Sequence, residues 1–152
     1  MTAADRLAAL GLTLPPVAAP VAAYVPAVRT GSYVYTSGQL PLADGKLPGT
    51  GKVGEAVTPE EAAGFARTAA LNALAAVASA AGGLDAITRI VKVTCFVASA
   101  PAFTGQALVA NGASELLIDV LGDAGRHARS AVGMAVLPLD SPVEVELIAE
   151  VA

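Results

Sequence analysis

Residues 58–97 read TPEEAAGFARTAALNALAAVASAAGGLDAITRIVKVTCFV, and this stretch decides the fold. Thr58 is a good N-cap, Pro59 suits the first helical position, where its missing N–H costs nothing, and Glu61 completes a capping box. The alanine-rich run behind them sets Phe65, Ala69, Ala73 (or Leu74) and Val77 on one stripe, so a helix is expected to Ala81, ended by Gly82-Gly83. From Ile87 to Val97 the composition turns β-branched and apolar, which predicts a strand.

Working outward, a second helical region is expected from Pro101 to about Leu121, weakened by Gly105 and Gly112 and closed by Gly122. Two strands follow, Ser130 to Val136 and Val143 to Val151, joined by Leu137-Pro138-Leu139-Asp140-Ser141-Pro142. Upstream, Val25 to Leu42 is β in character, with Val28, Tyr33, Val34, Tyr35 and Thr36 around Thr30-Gly31 as a hairpin. Gly45, Gly49, Gly51 and Gly54 make residues 41–57 a loop. Thr2 to Leu10 predicts a short helix ended by Gly11 and Pro15-Pro16, and residues 1–23 form an extended arm. The resulting order, β-β-α-β-α-β-β, is an α+β chain with two helices on one face of a mixed sheet. The sequence holds no third layer for the other face, so another subunit is its expected cover.

Composition narrows the functional classes. The 152 residues argue for one domain over the whole chain. Hydrophobic residues reach 55% and charged ones only 14%, which excludes a disordered chain and leaves apolar surface for a partner copy. A net charge of −4, with nine scattered Lys and Arg, argues against nucleic-acid binding, which usually needs a basic patch. Cys95 is the only cysteine, so no internal disulfide is possible. The start of the chain carries Asp5 before any basic residue and lacks a leader pattern, and Thr68 to Leu84 is too weakly apolar for a membrane span; a cytoplasmic protein is expected.

Each candidate site has a bland counterpart. Gly49-Thr50-Gly51-Lys52-Val53 resembles a phosphate-binding loop fragment, but Lys46 stands where the first Gly is needed and Val53 where Ser or Thr would bind magnesium. A flexible Gly-rich loop is the better reading. Cys95 sits among Val93, Phe96 and Val97 and reads as a buried core thiol rather than a nucleophile. His127, the only histidine, cannot build a His/Cys metal cluster, and no nucleophile elbow supports a Ser–His–Asp triad, but its place two before Arg129 makes it a candidate substrate-binding residue. Arg129, expected at the start of a strand, has the planar fork that suits a carboxylate. Glu144 and Glu146 share one face of the last strand, which is either a wet edge or a site.

The segments Tyr33-Val34-Tyr35-Thr36-Ser37-Gly38-Gln39-Leu40-Pro41, Ala128-Arg129-Ser130-Ala131-Val132, Leu137-Pro138 and Val143-Glu144-Val145-Glu146-Leu147-Ile148-Ala149 together resemble the RidA (YjgF) family. The likeness runs from about Tyr24 to the end, and the arginine-to-glutamate stretch aligns without a gap. It implies a chorismate-mutase-like fold and a homotrimer with sheets packed at its centre. It also implies hydrolysis of reactive enamines and imines, such as 2-aminoacrylate and its imine tautomer, to 2-oxo acids and ammonia. By position, Arg129 matches the arginine that grips the substrate carboxylate, and Glu144 the glutamate that orients the attacking water. Tyr24, Ser37, Gly38 and Asn111 match pocket residues, and the backbone at Ala131 completes the site. No metal or organic cofactor is implied; the partners implied are a small carboxylate substrate and two further copies of the chain. Three departures mark a divergent branch: Ala131 replaces a common cysteine, His127 replaces a common proline, and the 44–57 loop and the arm are longer. Beside the deaminase stand two other readings, a non-catalytic carboxylate-binding trimer and, opposed by the acidic charge, an endoribonuclease.

Overall fold

A computed structural model of the chain describes residues 1–19 and 22–152; the part of the expected arm at residues 20–21 lies outside the described residues. The elements are α1 (Ala3–Ala9), β1 (Ala27–Thr30), β2 (Tyr33–Thr36), α2 (Pro59–Ala81), β3 (Ile87–Ala98), α3 (Gln106–Leu121), β4 (Ala128–Met134) and β5 (Val143–Val151). The five strands form one sheet in the order β1-β2-β5-β3-β4, antiparallel except for the β3/β4 pair. A parallel pair needs a crossover, and α3 supplies it between β3 and β4.

Alternation along β5 shows how the layers form. Val143, Val145, Leu147, Ala149 and Val151 are buried toward the helices, while Glu144, Glu146, Ile148 and Glu150 face the other way. Ala62, Ala66, Ala69, Ala70 and Ala73 of α2 and Val109, Leu116, Leu117 and Val120 of α3 complete the core. The alanines let the helices lie close. At the crossing, a Cβ on Gly112 would overlap the carbonyl of Ala63. The opposite face of the sheet carries exposed Val28, Tyr33, Tyr35, Val132 and Met134, and no element among the described residues covers it. The expected α+β order, hairpin, long helix and missing layer are all present.

Several details differ from the sequence reading. The second helix starts at Gln106 rather than Pro101, because residues 101–105 form a turn in which the Phe103 N–H bonds the Ala100 carbonyl. At the start of α2, Thr58 Oγ1 accepts the Glu61 N–H (3.1 Å), but Glu61 takes the Thr58 hydroxyl proton (3.0 Å) instead of closing the reciprocal box. The box is closed at α1, between Thr2 and Asp5. β4 begins at Ala128, so Arg129 lies inside the strand, one residue from its start. The 41–57 segment is pinned rather than flexible: Val53 is fully buried and exchanges backbone bonds with Ala98 and Ala100, and the Gly51 N–H bonds the Asp140 carbonyl.

Candidate functional site

The register of the sheet separates the two strongest candidates. Arg129 stands opposite Val93 on β3, and Glu144 stands opposite Phe96. Paired residues share a face, and Val93 and Phe96 are three apart, so Arg129 points to the helical side and Glu144 to the open side. Three residues along the strand and two strand spacings across put their backbones roughly 14 Å apart. Within one chain they belong to two separate groups of residues.

The first group lies between β4 and α3. Arg129 Nη1 donates to Asn111 Oδ1 at 2.8 Å and to Ser114 Oγ at 3.1 Å, and Nη2 donates to the Ala107 carbonyl at 3.3 Å. Ala107, Asn111 and Ser114 are spaced four and three apart, so α3 presents them on one face. His127 closes the group: its Nε2 lies 2.8 Å from Ser114 Oγ and its Nδ1 2.6 Å from the Gly125 carbonyl. Ala131, next but one to Arg129, packs on the core opposite Cys95. Burial pushes the Cys95 thiol up to about 12, with the Arg129 charge opposing it, so this sulfur is a core residue. The Ser114–His127 pair does not make a nucleophile and base. Ser114 lies in the middle of α3, where backbone N–H groups are taken by helical bonds, so no oxyanion donors stand beside it.

The second group surrounds Glu144. A cavity of about 150 Å³ is lined by Tyr24, Pro26, Gly38, Leu40, Leu139 and Glu144, with Ala18 and Ala19 from the arm on its wall. Gly38 is needed here: a Cβ at this position would lie 2.7 Å from Glu144 Cδ. Ser37 fixes the approach of the arm, since its hydroxyl donates to the Val25 carbonyl (2.6 Å) and its N–H to the Pro26 carbonyl (2.8 Å). Asn72 of α2 donates to the carbonyls of Leu40 and Leu42, both at 3.0 Å, which sets the opposite wall. Burial first, and then the neighbouring Glu146, hold the Glu144 carboxyl above its ordinary value. A half-buried carboxylate in an apolar cavity, so raised, is a stronger base than an ordinary surface carboxylate.

The structure therefore brings Arg129, Asn111 and His127 together, and separately Tyr24, Gly38 and Glu144, with Ser37 just behind. It does not join the two groups in one chain, and Glu146 faces Tyr35, Lys92 and Thr94 on the open face instead of entering the cavity. Two residues escaped sequence reasoning. Ser114 was legible only through its helical spacing from Asn111. Leu139 lines the cavity from a turn in which both it and Asp140 adopt left-handed backbone (φ 58° and 59°), which nothing in Leu-Asp announces. Among the described residues no three His, Cys, Asp or Glu side chains converge as a metal site would require, and no helix is long and apolar enough to cross a membrane.

A mixed five-stranded sheet backed by two helices, with an arginine on one side and a sheltered carboxylate on the other, defines the chorismate-mutase-like α+β class. Comparison with known proteins takes this further. Residues 4–151 match the family described as "YjgF/chorismate_mutase-like, putative endoribonuclease", and the chain belongs to that family. Protein TCP17 of Trypanosoma cruzi is 45% identical over 148 residues, covering 97% of this chain and 92% of that protein. The solved structure of Atu1372 from Agrobacterium tumefaciens, of unknown function, is 47% identical with a TM-score of 0.92, covering 99% of this chain and 94% of that one. TdcF of E. coli, solved with bound serine, is 28% identical with a TM-score of 0.64, covering 91% and 94%.

Proposed function

We propose that the protein is a hydrolytic deaminase of small 2-imino and 2-enamino acids, working as a homotrimer in which Arg129 of one copy faces the Tyr24, Gly38 and Glu144 half-site of the next. The observation that carries this reading is the split site itself. An anion-binding arginine and a sheltered base lie on opposite sides of one sheet, and that sheet leaves an apolar face uncovered. A second copy would supply both the missing layer and the missing half-site. The serine held by TdcF supports a ligand of amino-acid size in this fold.

The chemistry asked of the site is modest. Iminium carbon is already electrophilic, so the protein has to hold the carboxylate, place water and move protons. Glu144 takes a proton from the attacking water, a carbinolamine forms, and Glu144 hands that proton to nitrogen; as the C–N bond breaks, the carbinol hydroxyl proton passes through Glu144 to the departing ammonia, leaving a C=O group. Iminium and water thus give a 2-oxo acid and ammonium. The net charge of −4 opposes the RNA cleavage in the family's description.

The test is a coupled assay in which an amino-acid oxidase generates imines and ammonia release or semicarbazone formation is followed. Acceleration that disappears in Arg129→Ala while the assembly persists is expected. Unchanged turnover in that variant refutes the assignment. Binding of a 2-oxo acid with no turnover of any imine would favour a non-catalytic carboxylate-binding trimer, and RNA cleavage that tracks Arg129 would favour the nuclease.

A further inference from the structure

The hydrogen bonds around Arg129 have one consistent direction. At one end the guanidinium can only donate, and at the other the Gly125 carbonyl can only accept. His127 Nδ1 must then carry the proton that the carbonyl receives at 2.6 Å, which leaves Nε2 as an acceptor in the neutral ring. Ser114 donates its hydroxyl proton to Nε2 at 2.8 Å and accepts Arg129 Nη1 at 3.1 Å. Every group in the chain Arg129–Ser114–His127–Gly125 is satisfied once.

This chain also decides which part of the guanidinium can bind a ligand. Both Nη1 protons are taken, one by Asn111 and one by Ser114. One Nη2 proton goes to Ala107, and Nε makes no hydrogen bond among the described residues. An end-on carboxylate would need an Nη1 proton and is shut out. That leaves Nε–H and one Nη2–H; with Ala107 on the Nη2 proton beside Nη1, these two lie parallel along one edge and match the two oxygens of a carboxylate.

We propose that Ser114 and His127 are positioning residues that lock the Arg129 guanidinium so that its Nε–Nη2 edge receives the substrate carboxylate side-on. The proposal rests on the deaminase reading for the identity of the ligand, while the lock belongs to this chain's own residues. Without Ser114, one Nη1 proton is freed and the guanidinium loses one of the bonds that fix its plane and its edge. The reactive carbon would then lie away from Glu144 for part of the time. The loss falls on carboxylate binding and alignment rather than on stability.

The experiment compares wild type, Ser114→Ala, Ser114→Thr, His127→Phe and the Ser114→Ala/His127→Phe pair. Pyruvate and 2-oxobutanoate are titrated as unreactive probes by calorimetry, and imine turnover is measured beside them. Ser114→Ala and His127→Phe are each expected to raise Kd and KM about tenfold, the double variant no more than either alone, and Ser114→Thr to stay near wild type. Melting temperatures should move by only a few degrees, which a merely structural role would not allow together with the KM change. In 15N NMR the wild-type His127 should show a protonated Nδ1 and a bare Nε2, and rotation about the Arg129 Nε–Cζ bond should be slow and become fast in Ser114→Ala. Wild-type affinity in both single variants, the opposite tautomer, or unchanged guanidinium rotation overturns the proposal. Wild type that takes neither 2-oxo acid nor imine refutes the deaminase reading instead, and the NMR rotation then judges the lock alone.

Discussion

Replacing Gly38 with alanine adds one methyl group at the point where the chain passes the Glu144 carboxyl. The new Cβ would overlap Glu144 Oε1 and lie 2.7 Å from Glu144 Cδ and 3.0 Å from Cγ. Carbon atoms in contact prefer about 3.5 Å, so Cδ must withdraw by at least about 0.8 Å, and Oε1, which the methyl group overlaps, must move farther. The obstacle is the end of a flexible side chain, and the Gly38 backbone is not in the left-handed region, so the fold absorbs the change at a cost of about 1 kcal/mol or less. Displacement of a catalytic group by about 1 Å costs about 100-fold, so kcat should fall between about 30- and 100-fold. The assay is imine turnover by Gly38→Ala, Glu144→Gln and the double variant, with thermal melts on each. Because the methyl acts only through the carboxylate, the double variant should be no slower than Glu144→Gln. Full activity in Gly38→Ala, or the same fractional loss whether or not Glu144 is present, would refute this reasoning.

Other expectations follow from the same contacts. Glu144 has to be ionised to act as a base and its carboxyl is held above its ordinary value, so turnover should fall as pH drops through that raised value; Glu146→Gln, which removes one cause, should move the acid limb downward. The sign for stability is opposite: a carboxyl raised in the folded state favours the fold at low pH and loses that contribution as pH rises through its folded value, and Glu144→Gln should flatten this slope in melts. Gly112→Ala puts a methyl group against the backbone carbonyl of Ala63, which cannot swing away as a side chain can, so a loss of about 1–3 kcal/mol in denaturant titration is expected. Cys95, buried and raised to about 12, should react with an aromatic disulfide reagent only at the rate of unfolding, and rapid labelling of the native protein would contradict its placement.

The parts of the fold set by local chemistry were legible in the sequence, and those set by distant contacts were not. Thr58-Pro59 and Gly82 bound α2 because a cap and a left-handed glycine act within a turn of the helix. The two-residue period of β5 announced which side of the sheet the glutamates take. By contrast, the 41–57 segment carries four glycines, and only the strand ends at Ala98 and Ala100, nearly fifty residues away, convert it from a loop into a pinned element. The start of α3 was misplaced for the same reason, since Pro101 is a good first helical residue that the chain uses in a turn instead. For the site, residue types marked Arg129 and Glu144, but the strand register alone reveals that they face opposite ways.

That opposition bears on the assembly. Within one chain the guanidinium cannot pair with Glu144 or lower its affinity for protons; in the proposed assembly the two meet only across the space that a ligand would fill. Placing them on opposite faces keeps the carboxyl sheltered and raised, and leaves Arg129 anchored by neutral partners, Asn111, Ser114 and the Ala107 carbonyl, none of which cancels its charge. The full positive charge is then available to an incoming carboxylate. The same arrangement makes the proposed site depend on assembly: dilution or an interface variant such as Val132→Asp should remove turnover and subunit association together, because β4 carries Arg129 toward α3 and Val132 toward the open face. Turnover that persists in a proven monomer would mean that one chain can close the gap of roughly 14 Å unaided, and the split-site reading would fall.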